Sequence, residues 1–420
     1  MQGPKGTYDV LPPEQPLRRL VIGEAERVFT AAGYGRIGTP TFEETALFER
    51  GVGSSSDIVR KEMYTFQDKG GRSLTLKPEG TAPVVRAYIQ HGMHKLPQPV
   101  KLWYFERMFR FERPQAGRFR EHYQLGAEAI GSADPALDAE MIMIASAIYE
   151  SLGVPDVELR LSSMGDSACR PAYLGRLTDY LAAVSDRLCG DCRERAQLNP
   201  LRVFDCKNQS CQAALADAPK LIDNLCEECQ HHFDSVRELL ELFGRTYRLD
   251  GTLVRGFDYY TRTTFEYECA RLGAQKGIGG GGRYDALVAE LGGVPAPATG
   301  FGTGLERIVL ALSAAGITAA PAGVDVFVAV LGAAARRTGI EQLHRLRGAG
   351  IAAETDYAGR AMKGQMKQAN RLGSRFAVII GDDEVDAGKA TVRDMDSGEQ
   401  EQVGFSRLSD YLKERLASNV

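Results

Sequence analysis

The sequence has 420 residues, of which 44% are hydrophobic and 25% are charged, and it carries a formal net charge of −4. This composition is typical of a globular protein with two or three domains, and it excludes a protein that is basic throughout, although a local basic face could still bind nucleic acid. No apolar run reaches the roughly 18 residues that span a bilayer, and residues 1–14 lack the apolar region of a secretory signal, so we expect a cytoplasmic protein with no membrane partner.

The first part of the chain combines helices with strands that do not alternate regularly. Apolar residues at helical spacing predict a helix over residues 17–32, which Gly33 ends, and residues 36–40 form a short predicted strand that stops at Pro40. Further strands are predicted at 73–76, 101–105, 107–112, 123–129, 253–254, 263–269 and 299–304. Strands joined by long loops favour a mainly antiparallel sheet flanked by helices, an α+β fold.

Two changes of character divide the chain. Residues 167–249 are cysteine-rich and helical in pattern, as expected for an insertion within a first domain that spans residues 1–324. After the Ala/Gly-rich residues 314–323, strands and helices alternate in β-α-β-α-β order. The predicted strands lie at 324–331, 351–355 and 376–381, with a helix at 336–348 and a second, basic helix after it. This order predicts a separate α/β domain with a parallel sheet over residues 325–420.

Six of the eight cysteines fall between Cys189 and Cys229. The CxxC pairs Cys189–Cys192 and Cys226–Cys229 suggest zinc ligation by these four thiols in a reducing compartment. The gap between the two pairs is longer than the roughly 15 to 20 residues of compact zinc ribbons. Reduced thiols in a small helical insertion are the alternative, and zinc is not among the cofactors that we expect.

An arginine-rich hairpin and a glycine-rich strand indicate a nucleotide site. Residues 109–112 and 119–122 would form two strands joined by a loop that contains Arg118. Guanidinium groups grip phosphate oxygens in pairs, although a solvated basic hairpin would have the same sequence character. Residues 300–307 run from a strand of small residues into an apolar helix, so Arg307 stands where the helix dipole favours anions.

These two stretches resemble motifs 2 and 3 of the class II aminoacyl-tRNA synthetases, and Gly38-Thr39-Pro40 resembles motif 1, which lies at the dimer interface in that family. Residues 253–261 (LVRGFDYYT) resemble the histidine-specific motif of the histidyl-tRNA synthetases, and residues 279–285 (GGGGRYD) resemble its companion glycine-rich strand. The motifs occur in the family's order, and the resemblance covers essentially the whole chain. It implies a class II catalytic core, a homodimer, and L-histidine, ATP and tRNA(His) as substrates.

The resemblance assigns roles at the amino-acid end of the site. Glu128 and Tyr260 match the positions that bind the imidazole ring. A selective pocket must satisfy both ring nitrogens, because an unpaired buried polar group costs about 1–3 kcal/mol. Glu79 and Thr81 match the positions that hold the amino group, with Gln124 beside the carboxylate. The full histidine-binding set is Glu79, Thr81, Gln124, Glu128, Arg255, Tyr259 and Tyr260.

The resemblance also implies the reaction. The histidine carboxylate attacks the α-phosphorus of ATP, pyrophosphate leaves, and the activated histidine passes to the 3′ end of tRNA. Arg110 and Arg255 are the catalytic candidates, expected to flank the α-phosphate where charge develops; in this family Arg255 would stand where relatives place a metal ion. Arg118 and Arg307 would hold the γ-phosphate, with Mg²⁺ bridging phosphate oxygens. The ATP-binding set is Arg110, Glu112, Arg118, His122, Gly304 and Arg307.

His122 departs from the family pattern. Many relatives have a phenylalanine at this position of motif 2, and it stacks on adenine. An imidazole ring can stack too, through a smaller face. His122 is therefore predicted as an adenine contact, with a hydrogen-bonded structural histidine as the alternative.

Residues 325–420 resemble the anticodon-binding domain that several class II synthetases share. Lys363, Lys367 and Arg371 recur every four residues and place three cations on one helical face, with Arg360 just upstream. Such a stripe suits RNA phosphates, while an ordinary solvated basic face is the alternative. With the resemblance, these four residues are the predicted tRNA contacts.

A second function from another class also fits a histidine pocket. Some bacteria use a synthetase paralogue as a histidine-sensing regulatory subunit of ATP phosphoribosyltransferase, which typically lacks the anticodon domain and loses catalytic arginines. Here Arg110, Arg118, Arg255 and Arg307 are all present and a C-terminal domain follows. The sequence therefore favours the synthetase.

Overall fold

The protein is described by a computed structural model that covers residues 1–53, 56, 58–273, 275–319 and 323–417. The chain divides into two compact units, Met1–Ala319 and Ala320–Val420. Each unit has its own sheet and its own hydrophobic core. None of the helices among the described residues is long and apolar enough to cross a membrane.

The first unit is built on an eight-stranded sheet in the order β1-β5-β6-β11-β10-β9-β7-β8, beside a three-stranded sheet in the order β2-β4-β3. Only the two outer pairs of the large sheet, β1–β5 and β7–β8, are parallel. The strands are β1 (Gly35–Arg36), β2 (Phe42–Glu44), β3 (Tyr64–Gln67), β4 (Ser73–Leu76), β5 (Val100–Phe109), β6 (Glu121–Ile130), β7 (Val157–Ser163), β8 (Arg248–Leu249), β9 (Thr261–Cys269), β10 (Gly277–Arg283) and β11 (Ala298–Gly304). The mainly antiparallel sheet predicted from the strand pattern is confirmed.

Helices cover the large sheet and form the cysteine-rich segment. The helices of this unit are α1 (Gln15–Ala31), α2 (Thr45–Gly51), α3 (Thr81–Gln90), α4 (Pro135–Ser151), α5 (Arg170–Ala183), α6 (Gly190–Leu198), α7 (Gln209–Ala214), α8 (Glu227–Leu242), α9 (Leu287–Glu290) and α10 (Leu305–Ala314). Helix α4 shows why such segments begin where they do. The Asp134 side chain accepts a hydrogen bond from the Ala136 amide, and Pro135 occupies the first helical position, where no amide hydrogen is needed.

Three local predictions for the first unit need correction. The predicted strand over 36–40 ends at Arg36. The Ile37 amide still donates to the Trp103 carbonyl, but the Thr39 amide donates to the Glu106 carboxylate instead of a strand partner. The two strands predicted at 101–105 and 107–112 are one continuous strand, β5, which ends at Phe109, so residues 110–112 lie outside it. Residues 253–254 are not a strand; they lie in the loop that carries the sequence LVRGFDYYT.

The cysteine-rich segment is not an isolated module. Its last helix, α8, packs on α4, and Phe233 and Leu240 belong to the same core as the large sheet. His232 of α8 also hydrogen-bonds the buried Asp138 of α4 at 2.7 Å. By contrast, Tyr173 of α5 joins the second core cluster of the unit, which also contains Tyr260. The segment therefore contributes to both large core clusters of this unit.

The second unit contains a five-stranded sheet in the order β13-β12-β14-β15-β16. Its strands are β12 (Val326–Val330), β13 (Ala353–Thr355), β14 (Phe376–Ile380), β15 (Lys389–Asp394) and β16 (Gln400–Gly404), and its helices are α11 (Ala333–Gly348), α12 (Met362–Arg371), α13 (Asp382–Ala387) and α14 (Leu408–Ala417). Strands β12 to β14 are parallel, as predicted from their alternation with helices. The parallel order does not extend over the whole sheet, because β15 and β16 form an antiparallel hairpin around Gly398 in a left-handed turn (φ 77°).

Candidate active site

A pocket opens on the large sheet where β6, β10 and β11 run side by side. It brings together nearly every residue predicted to bind ATP or histidine. The predicted residues that line it are Glu79, Thr81, Arg110, Glu112, Arg118, His122, Gln124, Arg255, Tyr259, Tyr260, Gly304 and Arg307. Glu128 is the exception, since it lies directly beneath the pocket and is only 1% exposed.

Glycines make this pocket by leaving room for side chains from neighbouring strands. A Cβ at Gly300 would overlap a carboxylate oxygen of Glu128, which stands opposite on β6. A Cβ at Gly280 would come within 2.8 Å of a guanidinium nitrogen of Arg255. The glycine-rich sequence of β10 and β11 is therefore required by close approach across the sheet rather than by turns.

The hairpin formed by β5 and β6 presents the arginines predicted for ATP. The Nε of Arg110 donates to the Pro78 carbonyl at 2.7 Å, which fixes the side chain at the mouth of the pocket. Arg118, in the loop of the hairpin, lies 3.3 Å from the carboxylate of Glu112 and is half exposed. Glu112 is also 3.7 Å from Arg110 and so lies between the two cations. These contacts keep both guanidinium groups extended towards the pocket.

Arg255 and Arg307 are half-buried cations, and some of their N–H groups are fully buried. Within the described part of the chain, the Nε of Arg255 and the Nε and Nη1 of Arg307 are buried and have no hydrogen-bond partner. Arg255 contacts the carboxylate of Glu266 at 3.4 Å, and Arg307 donates through Nη2 to the Gln275 carbonyl. Burial, reinforced by the charge of Arg118, lowers the pKa of Arg307. Buried N–H groups that point into a polar cavity indicate a site for an anion.

At the deep end of the pocket the carboxylate of Glu79 is already held by the chain. It accepts hydrogen bonds from the amides of Thr81 and Ala82, at 2.6 and 2.9 Å, at the start of α3. Burial raises the pKa of Glu79, and these amides and Arg110 oppose that shift. A buried carboxylate at this place can attract an ammonium group.

Glu128 is the centre of a buried hydroxyl network. Its carboxylate accepts from the hydroxyls of Thr81 at 2.9 Å, Tyr104 at 3.3 Å and Tyr284 at 2.5 Å. Gln124 donates to the Tyr104 hydroxyl at 2.9 Å and extends the network to the pocket wall. Burial raises the pKa of Glu128 to about 8, although the hydroxyls lower it in part. The network therefore binds and releases a proton near neutral pH.

His122 faces the same pocket in its uncharged form. Burial lowers its pKa to about 3, and the positive charges of Arg110 and Arg118 act in the same direction. A neutral imidazole beside these cations offers an uncharged face to a ligand ring. Whether that face meets adenine stays a prediction.

Several residues of this site were not singled out as ligands from the sequence. Tyr104 and Tyr284 hold Glu128 in place, and Glu266 stands against Arg255. Phe257 stacks on Tyr259 with ring centroids 5.2 Å apart, and the Arg110 guanidinium lies 5.6 Å from the centre of the Phe257 ring. Phe257 and Tyr284 lie within the motifs LVRGFDYYT and GGGGRYD, so the sequence did carry a signal for them. Strand alternation could have pointed to Glu266, and Tyr104 could not be found, since its partner Glu128 lies on another strand.

The predicted zinc ligands do not form one site. Cys189 and Cys192 lie with Cys206 and Cys211, whereas Cys226 and Cys229 lie with Cys169 and with Asp166. The two CxxC pairs begin different helices, α6 and α8, which pack in different parts of the segment. The ligand set Cys189, Cys192, Cys226 and Cys229 is therefore wrong.

The predicted tRNA contacts lie in the second unit. Lys363, Lys367 and Arg371 are exposed along α12, as their spacing predicts. Arg360 precedes the helix and is held by the buried Asp356 and by Gln368, at 2.6 Å from the latter. All four cations are thus available at one surface.

Comparison with known proteins agrees with this geometry. A family model described as histidyl-tRNA synthetase matches residues 6–308, and one described as anticodon binding domain matches residues 325–415. The histidine–tRNA ligase of Halothermothrix orenii is 49% identical to this chain, and the match covers 98% of this chain and 99% of the relative. That of Moorella thermoacetica is 50% identical, and the match covers 99% of this chain and 98% of the relative.

Solved structures give the same result. The apo histidyl-tRNA synthetase of S. aureus superposes with a TM-score of 0.83 at 38% identity and covers 98% of this chain and 100% of its own. A Bacillus halodurans C protein described as an ATP phosphoribosyltransferase regulatory subunit/histidyl-tRNA synthetase shares the fold, with a TM-score of 0.63 at 23% identity over 90% of this chain and 97% of its own. On the two family matches and the full-length relatives, this chain belongs to the histidyl-tRNA synthetase family.

Proposed function

We propose that this protein is a histidine–tRNA ligase, which activates L-histidine with ATP and transfers it to the 3′ end of tRNA(His). The observation that carries the proposal is the pair of half-buried cations Arg255 and Arg307, which have buried, unpartnered N–H groups and line the same pocket as Glu79 and Tyr260. An anion site and an ammonium site in one cavity suit a nucleotide and an amino acid together. The family membership reported above supports the same assignment.

The amino-acid end is proposed as follows. Glu79 and Thr81 would hold the ammonium group of histidine, and Gln124 would lie beside its carboxylate. Glu128 and Tyr260 would bind the two ring nitrogens, with the Glu128 carboxyl supported by neighbouring hydroxyls. Because these groups would be left unpaired by an apolar side chain, the pocket discriminates against amino acids that lack the ring nitrogens.

The nucleotide end uses the four arginines. Arg110 would contact the α-phosphate from the hairpin side and Arg255 from the side of the glycine-rich strands, while Arg118 and Arg307 would hold the γ-phosphate. His122 would stack on adenine. As the histidine carboxylate attacks the α-phosphorus and pyrophosphate leaves, the charge on the α-phosphate oxygens is stabilised by donors that are already in place.

Two carboxylates of the pocket fit Mg²⁺. Glu112 and Glu266 line the cavity, and Mg²⁺ prefers one or two carboxylate oxygens together with phosphate oxygens and water. Each lies beside a cation, since Glu112 is 3.3 Å from Arg118 and Glu266 is 3.4 Å from Arg255. When bound, Mg²⁺ supplies neutralisation of phosphate charge.

The second unit is proposed to bind the tRNA anticodon arm. Exposed Lys363, Lys367 and Arg371 can contact phosphates, and Arg360 extends the same surface. Tyr357, in the loop before α12, is 61% exposed and offers a ring for an unstacked base. A basic stripe beside an exposed aromatic ring suits a single-stranded loop better than a duplex.

We also infer that the protein acts as a homodimer in the cytoplasm. Gly38 and Pro40 of motif 1 are exposed, and Thr39 between them is fixed by hydrogen bonds of 2.6 and 2.8 Å to Glu106. Close by, the aromatic side chains of Phe42 and Phe66 are nearly half exposed and pack edge to face. A rigid segment beside exposed aromatic rings suits a subunit interface. Sedimentation of the purified protein tests this.

Histidine-dependent exchange of pyrophosphate into ATP is the deciding experiment. The purified protein is expected to catalyse exchange with L-histidine and not with the other amino acids. Binding of histidine without exchange would instead indicate a histidine sensor, and absence of both would refute the assignment. Transfer of labelled histidine to tRNA then tests the second step.

A further inference from the structure

We propose that the cysteine-rich segment holds two zinc ions, one in each of two clusters. The CxxC spacing in the sequence had instead suggested one site with a different set of four thiols. The four-cysteine cluster consists of Cys189, Cys192, Cys206 and Cys211. The mixed cluster consists of Asp166, Cys169, Cys226 and Cys229. In each cluster one ligand atom from every residue lies within 4.8 Å of all the others.

The distances in the four-cysteine cluster match a single tetrahedral ion. The Sγ atoms of Cys189 and Cys206 are 3.9 Å apart. A zinc ion with Zn–S bonds of about 2.3 Å places its sulfur ligands about 3.8 Å from one another. A disulfide would need about 2.05 Å, and all cysteines among the described residues are free. Four thiols within 4.8 Å of one another, none of them in a disulfide, favour zinc over a covalent crosslink.

Backbone amides in the four-cysteine cluster already donate to sulfur. The Cys189 amide donates to the Sγ of Cys211 at 3.1 Å, and the Asn208 amide donates to the Sγ of Cys206 at 3.4 Å. Donors of this kind stabilise a thiolate, which is the form that ligates metal. The arrangement is therefore prepared for charged sulfur rather than for packed thiols.

The two short helices that carry this cluster bury few side chains of their own. Among the described residues, Cys192 is the only buried side chain of α6, and α7 buries only Cys211 and Ala214. Leu188 before α6, and Leu201 and Val203 between the two helices, pack in the second core cluster of the unit, so a direct link between the helices would add to that packing. Zinc would supply that link between α6 and α7.

The mixed cluster rests on separate observations. The Sγ atoms of Cys169 and Cys229 are 3.9 Å apart, and Oδ1 of Asp166 lies 3.7 Å from the Sγ of Cys169 and 3.9 Å from that of Cys226. Zn–O bonds of about 2.0–2.2 Å give an oxygen–sulfur separation of about 3.6 Å. Arg262, at 3.5 Å from Asp166, orients the carboxylate from outside.

The mixed cluster joins the segment to the part of the chain that carries Tyr260. Arg170, next to Cys169, donates to the carbonyls of Tyr260 and Met164. The Arg262 amide donates to the Gly165 carbonyl at 2.7 Å. A metal here would fix the turn before α5 and, through Arg170, the backbone of Tyr260. This positioning role rests on the proposed function, whereas metal binding does not.

Metal analysis of the full-length protein, purified without chelator, tests both sites. We expect about two zinc ions per chain, and X-ray absorption should show sulfur-rich ligation with a minority of oxygen. Cys211→Ser and Cys229→Ser should each lose about one zinc ion. Cys269→Ser is the matched control, because Cys269 is buried in β9 outside both clusters and should leave the zinc content unchanged.

Other outcomes would overturn the proposal. A folded protein that contains no zinc, or that contains iron instead, contradicts the zinc proposal. This outcome can be read even if the variants fail to fold, because the metal analysis uses the unmodified chain. Equal loss of zinc in the Cys269 variant would show that the metal is held elsewhere. For the mixed cluster, Asp166→Asn should raise KM for histidine several-fold while KM for ATP stays unchanged. An equal change in both KM values would refute the positioning role, but it would not bear on the proposal that zinc binds.

Discussion

Arginines with buried N–H groups occur in this protein in two contrasting settings, the proposed catalytic pocket and the interior beside α4. Arg283 is fully buried and meets carboxylate oxygens of Asp138 at 2.9 Å and Asp285 at 3.2 Å. It also donates to the carbonyls of Ser132 and Asp134. Arg255 and Arg307 are half-buried, and each leaves a buried N–H group unpartnered within the described residues.

The contrast separates structural from ligand-binding cations. Leaving a buried charged donor unpaired costs free energy, so a chain that can satisfy Arg283 completely would be expected to satisfy Arg255 too. It does not, and Arg255 lines a polar cavity that a ligand can fill. Arg245 and Arg393 also leave a buried Nε unpartnered but are not among the residues that line this pocket, so it is incomplete pairing together with a cavity that indicates a ligand site.

The largest effect is expected on stability, at Arg283. Arg283→Met would leave the buried carboxylate of Asp138 without its ion-pair partner, although His232 still contacts it. The free energy of unfolding should fall by about 3–5 kcal/mol, with kcat nearly unchanged well below the melting temperature. Chemical denaturation and pyrophosphate exchange measure the two quantities. A large loss of kcat in the folded variant would place Arg283 in the catalytic machinery.

The opposite pattern is expected at Arg255. Arg255→Ala removes a donor that acts on the developing charge, so the exchange rate should fall roughly 10²–10³-fold while histidine binding, measured by calorimetry, stays nearly intact. Arg337→Ala is the control, because Arg337 is a highly exposed cation of the second unit. Equal loss of binding and rate would mean that Arg255 holds histidine rather than the α-phosphate.

Glu128 extends the comparison to a carboxyl group. Its pKa is raised from 4.5 to about 8 in the folded state, so the folded protein holds a proton that the unfolded chain releases. This contribution to stability is present below about pH 4.5 and is lost as the pH rises through about 8. The melting temperature of Glu128→Gln, relative to the unmodified protein, should therefore be higher at about pH 8.5 than at about pH 5. The exposed Glu238→Gln should show no such trend; a flat difference for Glu128→Gln would contradict the raised pKa.

The smallest effect is expected at His122. Stacking on adenine is worth about 0.5–1.5 kcal/mol, so His122→Ala should raise KM for ATP roughly 2–10-fold and His122→Phe should lower it. Because the pKa of His122 is about 3, neither difference should change between about pH 6 and pH 8. An unchanged KM in the alanine variant, with reduced stability, would support the structural alternative.

Features that are local in sequence were predictable. The β5–β6 hairpin, the strand β11 that leads into α10, and the spacing of cations on α12 all depend on residues within a few positions of one another. The parallel order of β12 to β14 followed from their alternation with helices in the same way. The hairpin of β15 and β16 was missed, although Gly398 in its turn carried a local signal.

Only the tertiary structure decided which residues from distant parts of the chain contact one another. Sequence spacing joined Cys189 to Cys226, while the packing of α6 and α7 joins it to Cys206 and Cys211. Motif matching assigned Glu128 to the imidazole ring, while only the fold shows that its carboxylate is held by Tyr284 from 156 positions away. A residue's own sequence neighbourhood sets its backbone conformation and its face of an element. Its burial, its charge and its ligand-binding capacity depend on which distant side chains the fold brings within hydrogen-bond range.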